Sequence, residues 1–286
     1  MIWPSGMTEI KHPVIRYHGG KFRLAKWITS FFPAHRCYVE PFGGGAASVL
    51  LRKARSHAEV YNDLDGEIVN LFRVLQDPVM NIRLRDLCVL TPYSREEFNF
   101  AYEPTDDELE QARRTVIKAT MGFSSASATA NKSGFRTDTK REYSTAQQLW
   151  ASYPDNLAAI GSRLLGVLIE NRPAVQVLLD HDTDNTLNYI DAPYLPETRQ
   201  RWKPTGYSYR HEMTEQDHIE LLEPVRKLKG MSIISGYDSE LYNDMLSGWC
   251  KETKAAQASA GMGGTVTKIE CLWFSPNINK REHPHD

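Results

Sequence analysis

The chain has 286 residues, of which 41% are hydrophobic, so one large domain with a smaller inserted or appended module is expected. No stretch approaches the roughly 20 apolar residues of a transmembrane helix, and no membrane partner is expected. The net charge of −2 does not by itself indicate a nucleic-acid partner, but charge is distributed unevenly along the chain. The four cysteines are scattered without a CxxC pair, which favours reduced thiols in a cytoplasmic protein.

Residues 36–75 show the pattern that opens a nucleotide-binding α/β sheet. A short apolar strand precedes a glycine-rich loop, and a helix, a second strand and a second helix follow. The predicted elements are a strand at 36–40, a helix at 46–56, a strand at 58–62 and a helix at 66–75.

The middle of the chain loses the strand signal, which is typical of a mostly helical insertion. Helices are predicted at 78–90, 94–102, 106–121 and 145–165, with a polar loop at 123–144. We therefore predict a helical domain at 78–149, inserted between the two parts of a catalytic α/β domain at 8–77 and 150–286.

The α/β alternation resumes after the insertion. Strands are predicted at 166–170, 186–190 and 231–235, and helices at 173–179, 214–229 and 239–246. Two late strands near 248–254 and 267–274 are predicted to form an antiparallel hairpin at the sheet edge, joined by a flexible stretch at 255–264.

A glycine-rich loop, Glu40-Pro41-Phe42-Gly43-Gly44-Gly45, follows the first strand. Small residues there let the backbone approach a ligand closely, so the loop is a candidate cradle for a nucleoside cofactor. It lacks the Lys-Ser/Thr pair of a P-loop, which argues against triphosphate binding. Asp63 ends the next strand, where a carboxylate is suited to accept hydrogen bonds from ribose hydroxyls. A structural turn and a helix cap are the alternative interpretations.

A second glycine pair lies upstream, in Tyr17-His18-Gly19-Gly20-Lys21. The aromatic ring is suited to cover a purine or a methionine, and Lys21 to meet a cofactor carboxylate. The alternative is a loop that caps a helix and carries a solvated lysine.

The segment Asp191-Ala192-Pro193-Tyr194 follows an apolar strand, at the end where open α/β sheets bind ligands. The lone pair of an exocyclic amine is delocalised into its ring. A carboxylate and a carbonyl that accept its two hydrogens would localise that lone pair for methyl transfer. Asp191 supplies the carboxylate, Ala192 the carbonyl, and Tyr194 a face for an extruded base. The alternative is a strand followed by a proline turn.

Together these motifs resemble one family. In chain order, Tyr17-x-Gly-Gly-Lys21, Glu40-Pro-Phe-Gly-Gly-Gly45, Asn62-Asp63 and Asp191-x-Pro-Tyr194 resemble the Dam-like, D12 class of adenine-N6 DNA methyltransferases. The resemblance spans roughly residues 13 to 275. It implies a Rossmann-like sheet that binds S-adenosylmethionine, a helical target-recognition domain and double-stranded DNA as the partner.

The resemblance also implies roles for single residues. Tyr17, Lys21 and Asp63 are expected to contact the cofactor, Asp191 to serve both the cofactor site and the amine, and Tyr194 to stack on a flipped adenine. The expected enzyme is cytoplasmic, of bacterial or phage origin, needs no metal and is favoured as a monomer.

Ala192 departs from the family pattern, Asp-Pro-Pro-Tyr. The backbone carbonyl survives this change, but the fixed φ angle of proline is lost. We therefore expect reduced or normal catalysis, not abolished catalysis.

Two basic stretches are the candidate DNA contacts, because arginine reads guanine bidentately and lysine neutralises phosphate. The candidates are Lys132, Arg136, Lys140, Arg141 and Arg199. An ordinary solvated loop is the alternative for the first stretch. The segment from Thr198 to Arg210 is expected to close over the flipped base or the DNA backbone. His211 and His218 lack a third ligand, so no metal site is expected.

Two other functions compete with this interpretation. The first alternative is that this fold methylates RNA adenine or a protein amide. An acid at position 191 and the helical insertion favour DNA adenine instead. In the other, the chain is a DNA-binding relic weakened at Ala192.

Overall fold

The structure is a computed structural model. It describes residues 10, 12–123, 133–137, 145–198, 210–261 and 264–278, with the backbone alone at 258–261, 264 and 265. In this part of the chain, no helix is long and apolar enough to cross a membrane.

A seven-stranded sheet forms the centre of the molecule. Its strands are β1 (Cys37–Glu40), β2 (Ala58–Asn62), β3 (Leu168–Glu170), β4 (Thr186–Ile190), β5 (Met231–Tyr237), β6 (Cys250–Gly261) and β7 (Gly264–Phe274). The order across the sheet is β3-β2-β1-β4-β5-β7-β6. The first five are parallel, and β7 runs antiparallel to both β5 and β6. All five residues of β4 are buried, as expected for a parallel strand covered on both faces.

The strand order reverses between β1 and β4, which are neighbours in the sheet but distant in sequence. Connections leave these two strands in opposite directions, so a crevice opens at their carboxyl ends. Glu40 ends β1, and Asp191 directly follows β4. The topology therefore brings two of the predicted site carboxylates to one crevice.

Eleven α-helices surround the sheet in the described part of the chain. They are α1 (Ala25–Thr29), α2 (Ser48–Arg52), α3 (Gly66–Gln76), α4 (Pro78–Leu90), α5 (Arg95–Phe100), α6 (Glu108–Met121), α7 (Ala146–Ser152), α8 (Leu157–Leu164), α9 (Ala174–Asp180), α10 (Glu215–Val225) and α11 (Glu240–Met245). Side chains that accept backbone N–H bonds fix several of their starts. Asp65 and Asp77 do this for the consecutive helices α3 and α4.

The helices of the insertion share their hydrophobic core with the sheet. Leu84 of α4, Phe98 of α5 and Val116 of α6 belong to the same buried cluster as Phe72 of α3 and Tyr61 of β2. Helix α6 is buried along most of its length. The insertion is therefore packed onto the sheet through α3, and the predicted domain boundary at 78 crosses a continuous core.

Two predictions of local structure need correction, and one helix was missed. The helix predicted at 145–165 is two helices, α7 and α8, separated by a 3₁₀ turn at Tyr153–Asn156 that contains Pro154. The stretch at 255–264 is not a flexible connection, because β6 and β7 extend through most of it. Helix α1 was not predicted.

Candidate functional site

A cavity of about 570 Å³ lies at the carboxyl ends of β1 and β4. Residues from each of the predicted sequence motifs line it. They are Tyr17, Gly19, Gly20, Lys21, Glu40, Pro41, Phe42, Gly43, Gly44, Asp63, Asp191 and Pro193. The fold therefore brings together motifs that are up to 176 positions apart in the sequence. Ala192 and Tyr194 lie beside this cavity and do not line it.

The glycines of the loop after β1 are packed against two tyrosine rings. A Cβ atom at Gly43 would lie 2.0 Å from Cε2 of Tyr61, and one at Gly44 would lie 2.8 Å from Cε1 of Tyr17. Gly44 also has a φ angle of +59°, which side-chain-bearing residues rarely adopt. The Tyr61 hydroxyl donates to the Gly44 carbonyl at 2.9 Å. The rings of Tyr61 and Tyr17 thus leave no room for a side chain at these two positions, whether or not a ligand is bound.

The side chain of Asn62 ties three strand ends together. Its amide nitrogen donates to the carbonyls of Pro41 at 2.9 Å and Arg172 at 3.0 Å, and its oxygen accepts from the Arg172 N–H at 2.9 Å. Asn62 is fully buried. These bonds fix the loops that follow β1 and β3 relative to the end of β2.

Asp63 is held by backbone groups at the edge of the cavity. Its Oδ2 accepts from the Gly44 N–H and its Oδ1 from the Asp65 N–H, both at 2.8 Å. Burial raises the pKa of Asp63 to about 6, although both hydrogen bonds favour the carboxylate. The N-cap of α3 is Asp65, so Asp63 is not the helix cap of the alternative interpretation.

Glu40 is buried at the base of the cavity. One carboxylate oxygen accepts from the Tyr38 hydroxyl at 2.7 Å and from the Leu50 N–H at 2.9 Å. Burial raises the pKa of Glu40 to about 8, and the negative charge of Asp191 adds to the increase. At pH 7 this carboxyl group is therefore mostly protonated, and a cationic ligand beside it would favour the carboxylate, with the proton released to solvent.

Lys21 is only 7% exposed, so it is not the solvated lysine of the alternative interpretation. Its ammonium donates to the Gly19 carbonyl at 2.8 Å and lies 3.0 Å from Oδ1 of Asp191. That same oxygen accepts a 2.7 Å hydrogen bond from Ser235. Both of these contacts use Oδ1, and neither uses Oδ2 of Asp191.

Tyr194 is enclosed by charged and aromatic groups. The Lys21 ammonium lies 4.5 Å from its ring centroid, and the Tyr237 ring packs at 4.7 Å in an edge-to-face arrangement. Its hydroxyl donates to Oε1 of Glu270. Burial raises the pKa of Tyr194 well above its ordinary value, and the charges of Asp191 and Glu270 act in the same direction. The phenol is therefore neutral and acts as a donor.

Ala192 is 4% exposed and does not line the cavity. Its side chain is buried in a second apolar cluster with Leu178, Leu195 and Leu221. The methyl group at position 192 therefore belongs to the core.

Several lining residues were not predicted as site residues. Ser48 of α2, Asp65, and a stretch from Arg210 to Met213 all line the cavity. Arg210 donates to Asp65 at 2.8 Å and to Glu67 at 3.1 Å. Its sequence context had suggested contact with the base or DNA backbone, and no local pattern reveals an ion pair across 145 positions.

Most of the predicted DNA contacts lie outside the described residues, namely Lys132, Lys140, Arg141 and Arg199. Arg136 is described and is 4% exposed. Its N–H donates to the Met121 carbonyl at 2.8 Å, and its carbonyl accepts from the Tyr93 hydroxyl at 2.7 Å. Its burial counts against direct DNA contact, and the assignment stays a prediction.

Among the described residues, no group of three His, Cys, Asp or Glu side chains is placed to hold a metal ion. His218 is buried and lies 2.9 Å from the Tyr242 hydroxyl through Nδ1, away from His211 at the cavity.

The family of D12 class N6 adenine-specific DNA methyltransferases is matched by residues 17–259, well over half of the chain. The chain belongs to this family. Membership confirms the predicted resemblance and the Rossmann-like α/β class. It also confirms the predicted activity: the D12 methyltransferase methylates adenine in DNA at N6, and it requires a methyl donor for this reaction.

Two curated relatives carry matching names. The "DNA adenine methylase" of Haemophilus influenzae is 24% identical over 262 residues, which are 84% of this chain and 85% of that protein. The "DNA N-6-adenine-methyltransferase" of Escherichia phage P1 is 28% identical over 69 residues, which are 24% of this chain and 9% of that protein. The first match is spread over most of both proteins, whereas the second is confined to a short segment.

Proposed function

We propose that this D12 methyltransferase transfers the methyl group of S-adenosylmethionine to the N6 amine of an adenine flipped out of a specific duplex DNA sequence. The convergence of Lys21, Asp191 and Tyr194 beside a 570 Å³ cavity carries the proposal. A cavity of this size is typical for a ligand of cofactor dimensions.

The groups at the cavity fit S-adenosylmethionine, which supplies an activated methyl group on a cationic sulfonium. Within the described residues, Ser48 Oγ and Asp65 Oδ2 are buried and have no hydrogen-bond partner, although their side chains belong to cavity-lining residues. Buried polar atoms normally have partners, so a polar ligand is the expected source. Asp63 is suited to the ribose hydroxyls and Glu40 to the cationic methionine end. Tyr17, Phe42 and the glycines supply the surrounding wall.

The adenine amine is held by acceptors of this chain. Oδ2 of Asp191 and the carbonyl of Ala192 would accept its two hydrogens and localise the nitrogen lone pair. Lys21 and Ser235 hold the other oxygen of Asp191, which fixes the carboxylate plane. Catalysis then rests on positioning and electrostatics, without a metal.

The remaining parts of the proposal concern DNA. Tyr194 is the aromatic platform for the flipped base, and stacking of this kind contributes about 1–3 kcal/mol per base. We assign target recognition to the helical segment at 78–149, with Lys132, Lys140, Arg141 and Arg199 as DNA contacts. A monomer in the cytoplasm of a bacterial cell, encoded by the host or a phage, fits this role.

The test is methyl incorporation from labelled S-adenosylmethionine into duplex DNA and RNA. Sequencing of DNA from expressing cells, with detection of modified adenine, identifies the recognised sequence. We expect label in duplex DNA and a loss of about 10³-fold for Asp191→Ala. The control is Asp184→Asn, an exposed acid before β4 at the opposite end of the sheet. Methylation of RNA alone, or DNA binding without methylation, would refute the proposal.

A further inference from the structure

Glu270 is a buried acid that the sequence motifs do not include. It lies on β7 opposite Tyr237 of β5, is 4% exposed, and falls beyond the residues matched by the family. A buried carboxylate is costly unless charged or hydrogen-bonded partners compensate it. Its partners therefore indicate why it is there.

Glu270 contacts two residues of the candidate site, Tyr194 and Lys21. Its Oε1 accepts from the Tyr194 hydroxyl and lies 3.4 Å from the Lys21 ammonium. The ammonium is also 3.0 Å from Asp191. One lysine thus stands between two carboxylates, and one of these also anchors the tyrosine.

This arrangement has two physical effects. A phenol bonded at its hydroxyl loses freedom to change rotamer, so the ring of Tyr194 is held in one plane. A lysine shared between two carboxylates neutralises less of the negative charge of each one. Asp191 therefore remains a stronger hydrogen-bond acceptor. Without the charge of Glu270, the ammonium of Lys21 would interact more strongly with Asp191.

We propose that Glu270 is a positioning residue for methyl transfer, which fixes the ring of Tyr194 for the flipped adenine and shares Lys21 with Asp191. This inference rests on the roles of Tyr194 and Asp191 in the proposed function. Glu270 acts through these residues and does not itself touch the reacting atoms.

Glu270→Gln tests the charge, because glutamine keeps the size and one acceptor for the Tyr194 hydroxyl. Glu252→Gln is the matched control, since Glu252 is an exposed acid on the neighbouring strand β6. We expect kcat of Glu270→Gln to fall about tenfold, with KM for S-adenosylmethionine changed less than about threefold. The control is expected to stay within about twofold of the parent. A kcat within twofold of the parent for Glu270→Gln would overturn the proposal.

Two further measurements separate positioning from a purely structural role. With 2-aminopurine at the target adenine, the fluorescence gained on base flipping should be smaller for Tyr194→Phe and for Glu270→Gln. The losses in kcat should also be less than additive in the double variant, because both changes affect one contact. Fully additive losses would overturn the inference.

Binding of S-adenosylmethionine, measured by calorimetry, shows whether each variant is folded. If Glu270→Gln does not bind it, Tyr194→Phe tests the same contact from the other side, and a parental kcat would then refute the inference. Failure of the parent protein to methylate DNA refutes the proposed function instead. Full activity in both the parent and Glu270→Gln refutes only the role of Glu270.

Discussion

The side-chain amide of Asn62 donates a 2.9 Å hydrogen bond to the carbonyl of Pro41, which ties the glycine loop after β1 to the end of β2. Two further bonds join the same side chain to Arg172. Asn62→Ala leaves three backbone groups without these partners. We expect the free energy of unfolding to fall by about 3 kcal/mol, since each unsatisfied buried group costs about 1–3 kcal/mol. Urea denaturation with and without S-adenosylmethionine measures this loss.

The matched control is Asn70→Ala. Asn70 also donates its amide to a carbonyl, that of Glu108 at 2.8 Å, but on a partly exposed helix surface. We expect a loss below about 1 kcal/mol there. Equal losses at the two positions would contradict the role assigned to Asn62.

Gly43 is the second position where a small change is expected to have a large effect. The Tyr61 ring that blocks a Cβ atom at Gly43 cannot easily withdraw, because it is stacked on Phe72 at 4.2 Å and bonded to Gly44. Gly43→Ala should therefore destabilise the protein by about 2–3 kcal/mol, as overpacking typically does. It should also weaken S-adenosylmethionine binding. Thermal unfolding and calorimetry provide the two measurements.

Gly66→Ala is the control for this experiment, because a Cβ atom there meets nothing within 4 Å. Gly66 is the first residue of α3, where alanine is favoured over glycine. We expect stability equal to or slightly above that of the parent. Destabilisation of both variants to the same extent would show that steric conflict with Tyr61 is not the cause.

Glu40 predicts a pH dependence of cofactor binding. Its pKa of about 8 in the free protein means that the carboxyl group is mostly protonated at pH 7. A bound cation favours the carboxylate and lowers this pKa, so binding releases a proton and the affinity rises as the pH increases toward 8. Asp63, with a pKa of about 6, adds to the rise at lower pH.

Calorimetry at pH 7 in buffers of different ionisation enthalpy measures this release. We expect close to one proton per S-adenosylmethionine for the parent and for Asp184→Asn, and much less for Glu40→Gln. An unchanged proton count in Glu40→Gln would assign the release to another group.

Ala192→Pro tests the departure from the family pattern. The proline ring would preorganise the acceptor carbonyl, but it would also enlarge a side chain buried against Leu178 and Leu221. We expect an active parent, a gain in kcat of no more than about threefold and a small loss of thermal stability. No detectable transfer by the parent, with rescue by proline, would show that this departure disables the enzyme.

The central fold could be predicted from the sequence because its signals are local. The short apolar stretches that end at Glu40 or directly precede Asp63 and Asp191 predict strands from neighbouring residues alone. The length of the β6–β7 hairpin could not be predicted in this way. Its distal part is rich in Ala, Gly and Ser, which are weak strand formers, and the pairing of β6 with β7 overrides that preference.

The same distinction between local and long-range signals applies to the residues of the candidate site. Residues inside motifs, such as Lys21 and Asp63, were identified by their types and spacing. Glu270 was missed, and the ion pair of Arg210 was not foreseen, because their partners lie 76 and 145 positions away, respectively. A solitary acid in a strand, or arginine in a polar segment, has no local pattern that distinguishes such a role.

The shared core between the insertion and the sheet bears on how this lineage diversifies. Phe98 and Val116 lie in the same apolar cluster as Phe72 and Tyr61, so the described helices of the insertion share one core with the sheet. A segment grafted from a distant relative would bring core side chains that do not match those of the sheet and α3. The interface would then contain cavities or steric clashes. If the insertion recognises the target, as proposed above, new target preferences are expected to arise by point changes on the outer surface of these helices, with their buried side chains retained.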